Sequence, residues 1–526
     1  MSIISKYQIP LWLTLLCALS FVVGNNSTPL FDLDEGAFSA ATMEMLQRGD
    51  FVTTYLNGEL RFDKPILIYW LQALSVSFFG MNEFAFRLPS ALMATLWITS
   101  FFYFCRVRMQ IHDAIIATVM LASTIGVVVI GRAATADALL NALLCLALLD
   151  AYRVFENPDE SRHIIQRAYF WIGLGLLAKG PIAALVPLAT ISLYALLDQR
   201  WLAWKRIIFH PVGWLIALVV AAPWYLLEYL DQGQAFVDGF IFKHNLSRFN
   251  STFEGHGGHW YYYLAIMPVV MAPHLGILAA SVSKFRTTKP TSLQKFGLCW
   301  FGFVFVFFSL SNTQLPHYIL YGLSGLVLVV SPLAKKLMKT WILAPTILLL
   351  IIYFCLPIIL EQAANRNPEE LLSALIQEGL AEFGAQYYQL IAAALAGLII
   401  ALFIRMNNSI AITIAGLTHT TTLALVVIPL IGQIQQGPTK QAALVARAST
   451  LPVYSYQLNH PSFSVYYGKP VPRKKFENLP DYEHLLLTKK NHQPLDRDYQ
   501  VLFEKGGITL LKFVRRMPPP QTLSVL

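Results

Sequence analysis

Asp34 and Glu35 stand together at the head of an apolar-periodic stretch, Ala37–Leu46, and Asp63-Lys64-Pro65 closes the same polar segment. A carboxylate in such a place can orient or deprotonate an oxygen nucleophile, and a fixed ammonium can stabilise charge developing on a leaving oxygen. Asp34-Glu35 equally suits the start of a helix, where acids complement the dipole and cap free N–H groups. Asp32, Asp50 and Glu59 need no more than exposure in a loop. Asp137 ends the turn Gly131–Ala136 just before the apolar run Ala138–Leu149, again as a candidate cap or a candidate site acid. Lys179 sits in an otherwise uncharged apolar hairpin, a costly position without a partner, although a lysine at a helix end can also snorkel to the interface. His244, Arg248, His256 and His259 share one loop flanked by Trp260-Tyr261-Tyr262-Tyr263. Their spacing matches no zinc site, and an aromatic interface belt accounts for the tyrosines.

The elements that must position these residues are membrane helices. Of 526 residues, 56% are apolar and 13% charged, whereas a soluble domain carries about 25% charged residues. Runs of about 20 apolar residues recur along the chain. This excludes a soluble enzyme, a disordered chain and a secreted disulfide scaffold. The +9 net charge reflects Lys and Arg in cytoplasmic loops, and their scatter gives no nucleic-acid surface. The five cysteines all lie in or beside apolar runs, so no structural disulfide is expected.

Placing basic clusters inside orients the chain with its N-terminus cytoplasmic, its first helix uncleaved and about thirteen spans. Asp34, Lys64, Asp137, Lys179 and the His244–His259 loop then fall on the outer face. The count predicts that Pro65–Phe79 is one helix at the outer interface, because two spans before Arg106 would return it to the wrong side. It also predicts two short helices meeting at Lys179-Gly180-Pro181. The expected architecture is an all-α polytopic membrane protein over residues 1–435, with an outer first loop at 25–80. A small outer α/β domain follows at 436–526, with β-prone stretches at Leu451–Gln457, Ser462–Tyr467, Glu483–Thr488 and Tyr499–Val514.

The first-loop block, Asp34-Glu35, Met45–Asp50, Asn57-Gly58 and Arg61-Phe62-Asp63-Lys64-Pro65, resembles the GT-C membrane glycosyltransferases that use lipid-linked sugars. It is similar above all to the aminoarabinose lipid A transferases and their protein O-mannosyltransferase relatives. The match continues through Tyr69-Trp70, Glu83–Ser90, Asp137, Ala178–Pro181, His244–Phe249 and Leu315-Pro316-His317-Tyr318, in order over roughly the first 330 residues. The resemblance implies transfer on the periplasmic face of a bacterial inner membrane, from a polyprenyl-phosphate sugar and without a nucleotide sugar. The acceptor it implies is lipid A or another envelope glycolipid, or a protein hydroxyl. It makes Asp34, Glu35, Lys64 and Asp137 the catalytic candidates. Lys179, His244, Arg248, Tyr318 and Asp63 become donor-phosphate or substrate contacts, and Asp63 with Asp137 the candidate ligands of a divalent metal. Asp63 stands where the aminoarabinose enzymes usually carry Glu, and Gln314 where a lysine is common. A lipid or oligosaccharide transporter would explain the spans and the buried cations but not the acidic first loop. A transferase needs Asp34, Lys64, Asp137, Lys179 and Arg248 around one cavity.

Overall fold

Apolar runs with few charges fold as helices because lipid offers the backbone no hydrogen-bond partners. The computed structural model describes residues 10–159, 161–246, 258–285, 289–366, 370–492 and 498–513. Seven helices among the described residues are long and apolar enough to cross a membrane, and two bent pairs raise the number to nine if each is one span. The shorter apolar helices are Leu11–Val22, Leu67–Phe79, Ile182–Asp198 and Tyr262–Met271. The expected count of about thirteen is therefore not met by length and composition alone. Part of the reason is local: prolines and glycines interrupt several apolar runs, as Pro273 does between the helices Tyr262–Met271 and Leu275–Phe285.

The elements that build the end carrying Asp34, Asp137 and Lys179 come mostly from the first part of the chain. They are α1 (Leu11–Val22), α2 (Asp34–Arg48), α3 (Leu67–Phe79) and α4 (Glu83–Arg108). Then come α5 (Ile111–Ser123), α6 (Ile125–Arg132), α7 (Asp137–Glu156), α8 (Arg162–Lys179) and α9 (Ile182–Asp198). Helix α2 stops at Gly49, whose φ of 69° is the left-handed cap that glycine adopts without strain. Between α2 and α3 a short antiparallel ribbon pairs β1 (Tyr55–Leu56) with β2 (Glu59–Leu60), turning at Asn57-Gly58. Residues 67–79 form one helix, as expected, and α8 and α9 meet at Gly180-Pro181. An apolar cluster that includes Phe38, Met45, Ile66, Tyr69, Leu139, Ala178 and Trp224 holds α2 and α3 against α7, α8 and the helix Pro211–Gln232. All five cysteines are free.

After the transmembrane helices comes a four-stranded sheet in the order β3 (Val453–Ser455), β4 (His484–Lys489), β6 (Ile508–Phe513), β5 (Tyr499–Lys505). Strands β3 and β4 are parallel and the other pairs antiparallel. Two expectations are corrected. The boundary at 435/436 falls inside the continuous helix Ile428–Arg447. Residues 462–467 belong to a helix, Pro461–Tyr467, rather than a strand. Pro461 presets the first helical position, and the segment packs its buried Phe463 and Val465 instead of pairing edges. This helix docks on the first loop. Ser462 donates its N–H and its hydroxyl to Asp32 at 2.9 and 2.5 Å, Ser464 Oγ donates to Asn57 Oδ1 at 2.7 Å, and Leu30 N donates to Tyr466 OH at 2.7 Å. A Cβ on Gly36 would sit 2.0 Å from Asp32 Oδ1 and 2.6 Å from Ser462 N, so only glycine admits this approach.

Candidate active site

Asp34 and Asp137 each open a helix, yet neither is its cap. Leu33 and Ala136 hold the cap positions and no side chain caps either helix, which leaves both carboxylates available for other partners. Asp137 is buried, and its Oδ1 accepts from Lys179 Nζ at 2.5 Å and from Tyr321 OH at 3.2 Å, with His317 Nε2 at 3.5 Å. Its Oδ2 accepts from Thr135 Oγ1 at 3.2 Å. Lys179 therefore has the partner its apolar hairpin demanded. Its ammonium also lies 5.6 Å from the Tyr318 ring centroid and 5.5 Å from that of Tyr321. Both rings come from the 3₁₀ segment Pro316–Gly322, where residues three apart share a face.

A second charged group lies at the end of the first loop. Asp63 Oδ1 accepts from Lys64 Nζ at 2.7 Å and lies 3.2 Å from His244 Nδ1, while Oδ2 accepts from Arg61 Nη2 at 3.1 Å. Arg61 Nε also donates to Tyr69 OH at 3.3 Å, anchoring the loop on the buried Tyr69 of α3. Asp34 is open to solvent at its helix start but flanked by protein. Partial loss of water on its protein-facing side raises its carboxyl from the ordinary value. Asp137 and Asp63 push the same way, and Lys64 and Lys179 oppose.

Two cavities meet at these groups. The first, about 390 Å³, is lined by Asp34, Asp137, Thr135 and His317 together with apolar Val129, Ile130, Ile428 and Ile431. The second, about 420 Å³, is lined by Asp63, Lys64, Lys179, His244, Tyr318 and Tyr321 and by an apolar wall that includes Ile182, Leu185 and Phe308. The Asp137–Lys179 pair joins them, since its acid lines one and its lysine the other. The first holds Asp34 and Asp137 as well as Arg87 and Arg132, and the second groups Lys64 and Lys179 with Asp63. That arrangement can hold an anionic leaving group apart from the nucleophile that displaces it.

Six of the predicted site residues, Asp63, Lys64, Asp137, Lys179, His244 and Tyr318, come together with Asp34. Arg248 lies outside the described residues, as does His256. Glu35 also borders the first cavity, but its oxygens are fully engaged. It is 4% exposed, forms a two-pronged ion pair with Arg87 at 2.8 and 2.7 Å, and accepts from the N–H groups of Ala134 and Phe31 at 2.7 and 2.9 Å. With that environment it braces the loop and has no reach to a nucleophile. Gln314, at the position of the missing lysine, turns back to the carbonyls of Ser309 and Ser311. Asp63 and Asp137, the candidate ligands of a divalent cation, are each paired with a lysine, and among the described residues no three His, Cys, Asp or Glu side chains converge. Arg61, Tyr321 and His317 are site residues that were not singled out as such. Tyr321 could have been found from its spacing to Tyr318 in a turn opened by Pro316.

Residues 63–226 match the family described as dolichyl-phosphate-mannose-protein mannosyltransferase. An undecaprenyl phosphate-alpha-4-amino-4-deoxy-L-arabinose arabinosyl transferase of Aeromonas hydrophila is 28% identical over 342 residues, 64% of this chain and 61% of that protein. The counterpart from Photorhabdus laumondii is 26% identical over 335 residues, 62% of this chain and 59% of its own length. The chain thus spans about three-fifths of the length of these relatives. An uncharacterized protein of Aquifex aeolicus is 30% identical over 346 residues, 65% of this chain and 77% of that one. In structure the chain is similar to ArnT from Cupriavidus metallidurans bound to undecaprenyl phosphate. The TM-score is 0.81 at 19% identity, covering 97% of this chain and 99% of that one, a likeness of fold.

Proposed function

From the premise that this chain is similar to the lipid-linked-sugar glycosyltransferases in sequence and in fold, we propose that it moves a sugar from a polyprenyl phosphate to an acceptor at the outer face of a bacterial inner membrane. Undecaprenyl phosphate is the donor carrier and lipid A or another envelope glycolipid the acceptor. The N-terminus is cytoplasmic, and the sheet-bearing segment and the two cavities are periplasmic. The observation that carries the proposal is Asp34 at the first cavity, within electrostatic reach of Lys64 and Lys179 at the second.

The donor phosphate occupies the cationic cavity, with Lys64, Lys179 and His244 around it and the polyprenyl chain along the apolar wall. The acceptor oxygen attacks the anomeric carbon from the side of Asp34. The bond from that carbon to the phosphate oxygen breaks, and the polyprenyl phosphate leaves with the electron pair, its charge held by the two lysines. A hydroxyl acceptor gives its proton to Asp34, whereas an ionised phosphate acceptor needs only to be positioned. Tyr321 and Thr135 hold Asp137 so that Lys179 keeps its direction. No step is assigned to a divalent cation, because Lys64 and Lys179 already supply the charge.

Lipid A and other envelope glycolipids are compared by mass spectrometry in strains lacking the chain, carrying it, or carrying Asp34→Asn. The expected result is one sugar-sized mass lost in both the deletion and the variant. Normal transfer by a variant present at wild-type level removes Asp34 from the chemistry. A sugar lost from proteins instead of lipids moves the acceptor to protein hydroxyls, the class named for the matched mannosyltransferase family. Cysteines introduced at Glu59 and Ser449 should label from outside, and labelling from the cytoplasm overturns the orientation.

A further inference from the structure

The first cavity has a polar region that the reaction above does not use. Three residues lining it carry buried side-chain atoms with no hydrogen-bond partner: Arg132 Nη1, Thr28 Oγ1 and Asn25 Oδ1. Arg132, the last residue of α6, is 5% exposed. Its Nη2 donates to the carbonyls of Val23 at 2.9 Å and Ala424 at 3.4 Å, and among the described residues no carboxylate lies within ion-pair distance of it. Residues 24 and 25 share its neighbourhood, since a Cβ on Gly24 would lie 3.4 Å from Arg132 Nη2. Arg87 lines the same cavity and shows the contrast. Its five N–H donors go to Glu35 twice and to the carbonyls of Asn25, Thr28 and Pro29. Glu35 is thus taken up by Arg87. A guanidinium cannot shed its proton, so a buried positive charge is left without an ion-pair partner at the edge of the cavity, which is costly unless something supplies one.

We propose that this region binds the anionic, hydroxyl-bearing headgroup of the acceptor lipid, a sugar phosphate. Arg132 is the cation for the phosphate, Thr28 donates to a phosphate oxygen, and Asn25 Oδ1 accepts from a headgroup hydroxyl. The planar guanidinium suits a phosphate better than a point charge does, and Val129, Ile130, Ile428 and Ile431 give acyl chains an apolar wall. Asp34 and Asp137 line the same cavity and repel an anion. The phosphate is therefore confined to the Arg132 region while the reacting oxygen of the same molecule approaches Asp34. This rests on the reading that the first cavity receives the acceptor.

The test uses the full-length purified protein, a polyprenyl-phosphate sugar, and an acceptor glycolipid in phosphorylated and dephosphorylated forms. Arg132→Gln should raise KM for the phosphorylated acceptor by about tenfold to a hundredfold, as loss of a charged hydrogen bond does. The donor KM should stay unchanged and the preference for the phosphorylated form disappear. Arg132→Lys should recover part of it, and Thr28→Val should lose about threefold to tenfold. Equal losses on both acceptors would make Arg132 a brace between Val23 and Ala424, and an unchanged preference in Thr28→Val would also overturn the proposal should Arg132→Gln not fold. Binding of both glycolipids to Asp34→Asn protein, with and without Arg132→Gln, is measured by native mass spectrometry. Phosphate-dependent binding that needs Arg132 supports this site even if no transfer occurs, whereas its absence sinks the site even if transfer does occur.

Discussion

Glu35 with Arg87 and Asp137 with Lys179 are both buried acid–base pairs near the first cavity, and they differ in what else they touch. In the first, all five guanidinium donors are used and each carboxylate oxygen also accepts a backbone N–H. In the second, the carboxylate is shared among a lysine, a tyrosine, a threonine and a nearby histidine at the border of two cavities. A saturated pair of fixed geometry locks the chain and has nothing left to give a ligand. A shared pair can change its balance of partners as charge moves nearby, which is what a reaction needs. Burial of an ion pair is therefore no sign of function; the partners left over are.

That contrast can be broken most forcefully at the saturated pair. Arg87→Met should cost about 3–5 kcal/mol by leaving Glu35 buried and unpaired, seen as loss of folded protein from detergent extracts and a much lower Tm. A near-normal Tm would show that the pair is dispensable. Lys179→Met should keep the fold, because Tyr321 and Thr135 still serve Asp137, but lower kcat by about 10²–10³. A fall in stability equal to that of Arg87→Met would erase the distinction.

The pH profile gives a finer discrimination. In the proposed reaction the carboxylate form of Asp34 takes the proton of a hydroxyl acceptor, and its raised pKa means that acid should reduce kcat/KM at a pH above the ordinary carboxylate value of about 4. Asp34→Asn should abolish that limb, while a profile flat to pH 4 would make Asp34 a positioning residue. The smallest expected effect lies at Asp32. Burial pushes its carboxyl up to about 7, with the Ser462 hydrogen bonds opposing and Glu35 adding. A folded-state pKa above the unfolded value contributes stability at acid pH that is lost as the pH rises from about 4 to 7. Asp32→Asn keeps an acceptor for Ser462 N, and it should flatten the Tm of the docked segment over that window. An unchanged slope would place the titration elsewhere.

Asp34, Asp63-Lys64, Asp137 and Lys179 were legible because charge is scarce in this chain and theirs fell beside apolar sequence on one predicted face. The fate of Glu35 was not. Adjacent helical residues point to different sides, and which side meets Arg87 depends on the packing of α2 against α4. Residues 462–467 went unread as a helix because so short a segment takes its form from what it docks on, here the loop at Asp32 and Asn57. The domain boundary was misplaced because Ile428–Arg447 changes from apolar to polar along one unbroken helix.

The sequence by itself determined that this is a many-helix membrane protein and that a few of its scarce charges stand beside apolar runs. Composition and periodicity act locally, and lipid punishes every exception. The tertiary structure alone decided which acid is saturated and which is shared, where two cavities meet, and that Arg132 has no ion-pair partner among the described residues. Those are properties of distances between segments far apart in the chain, and no local pattern contains them.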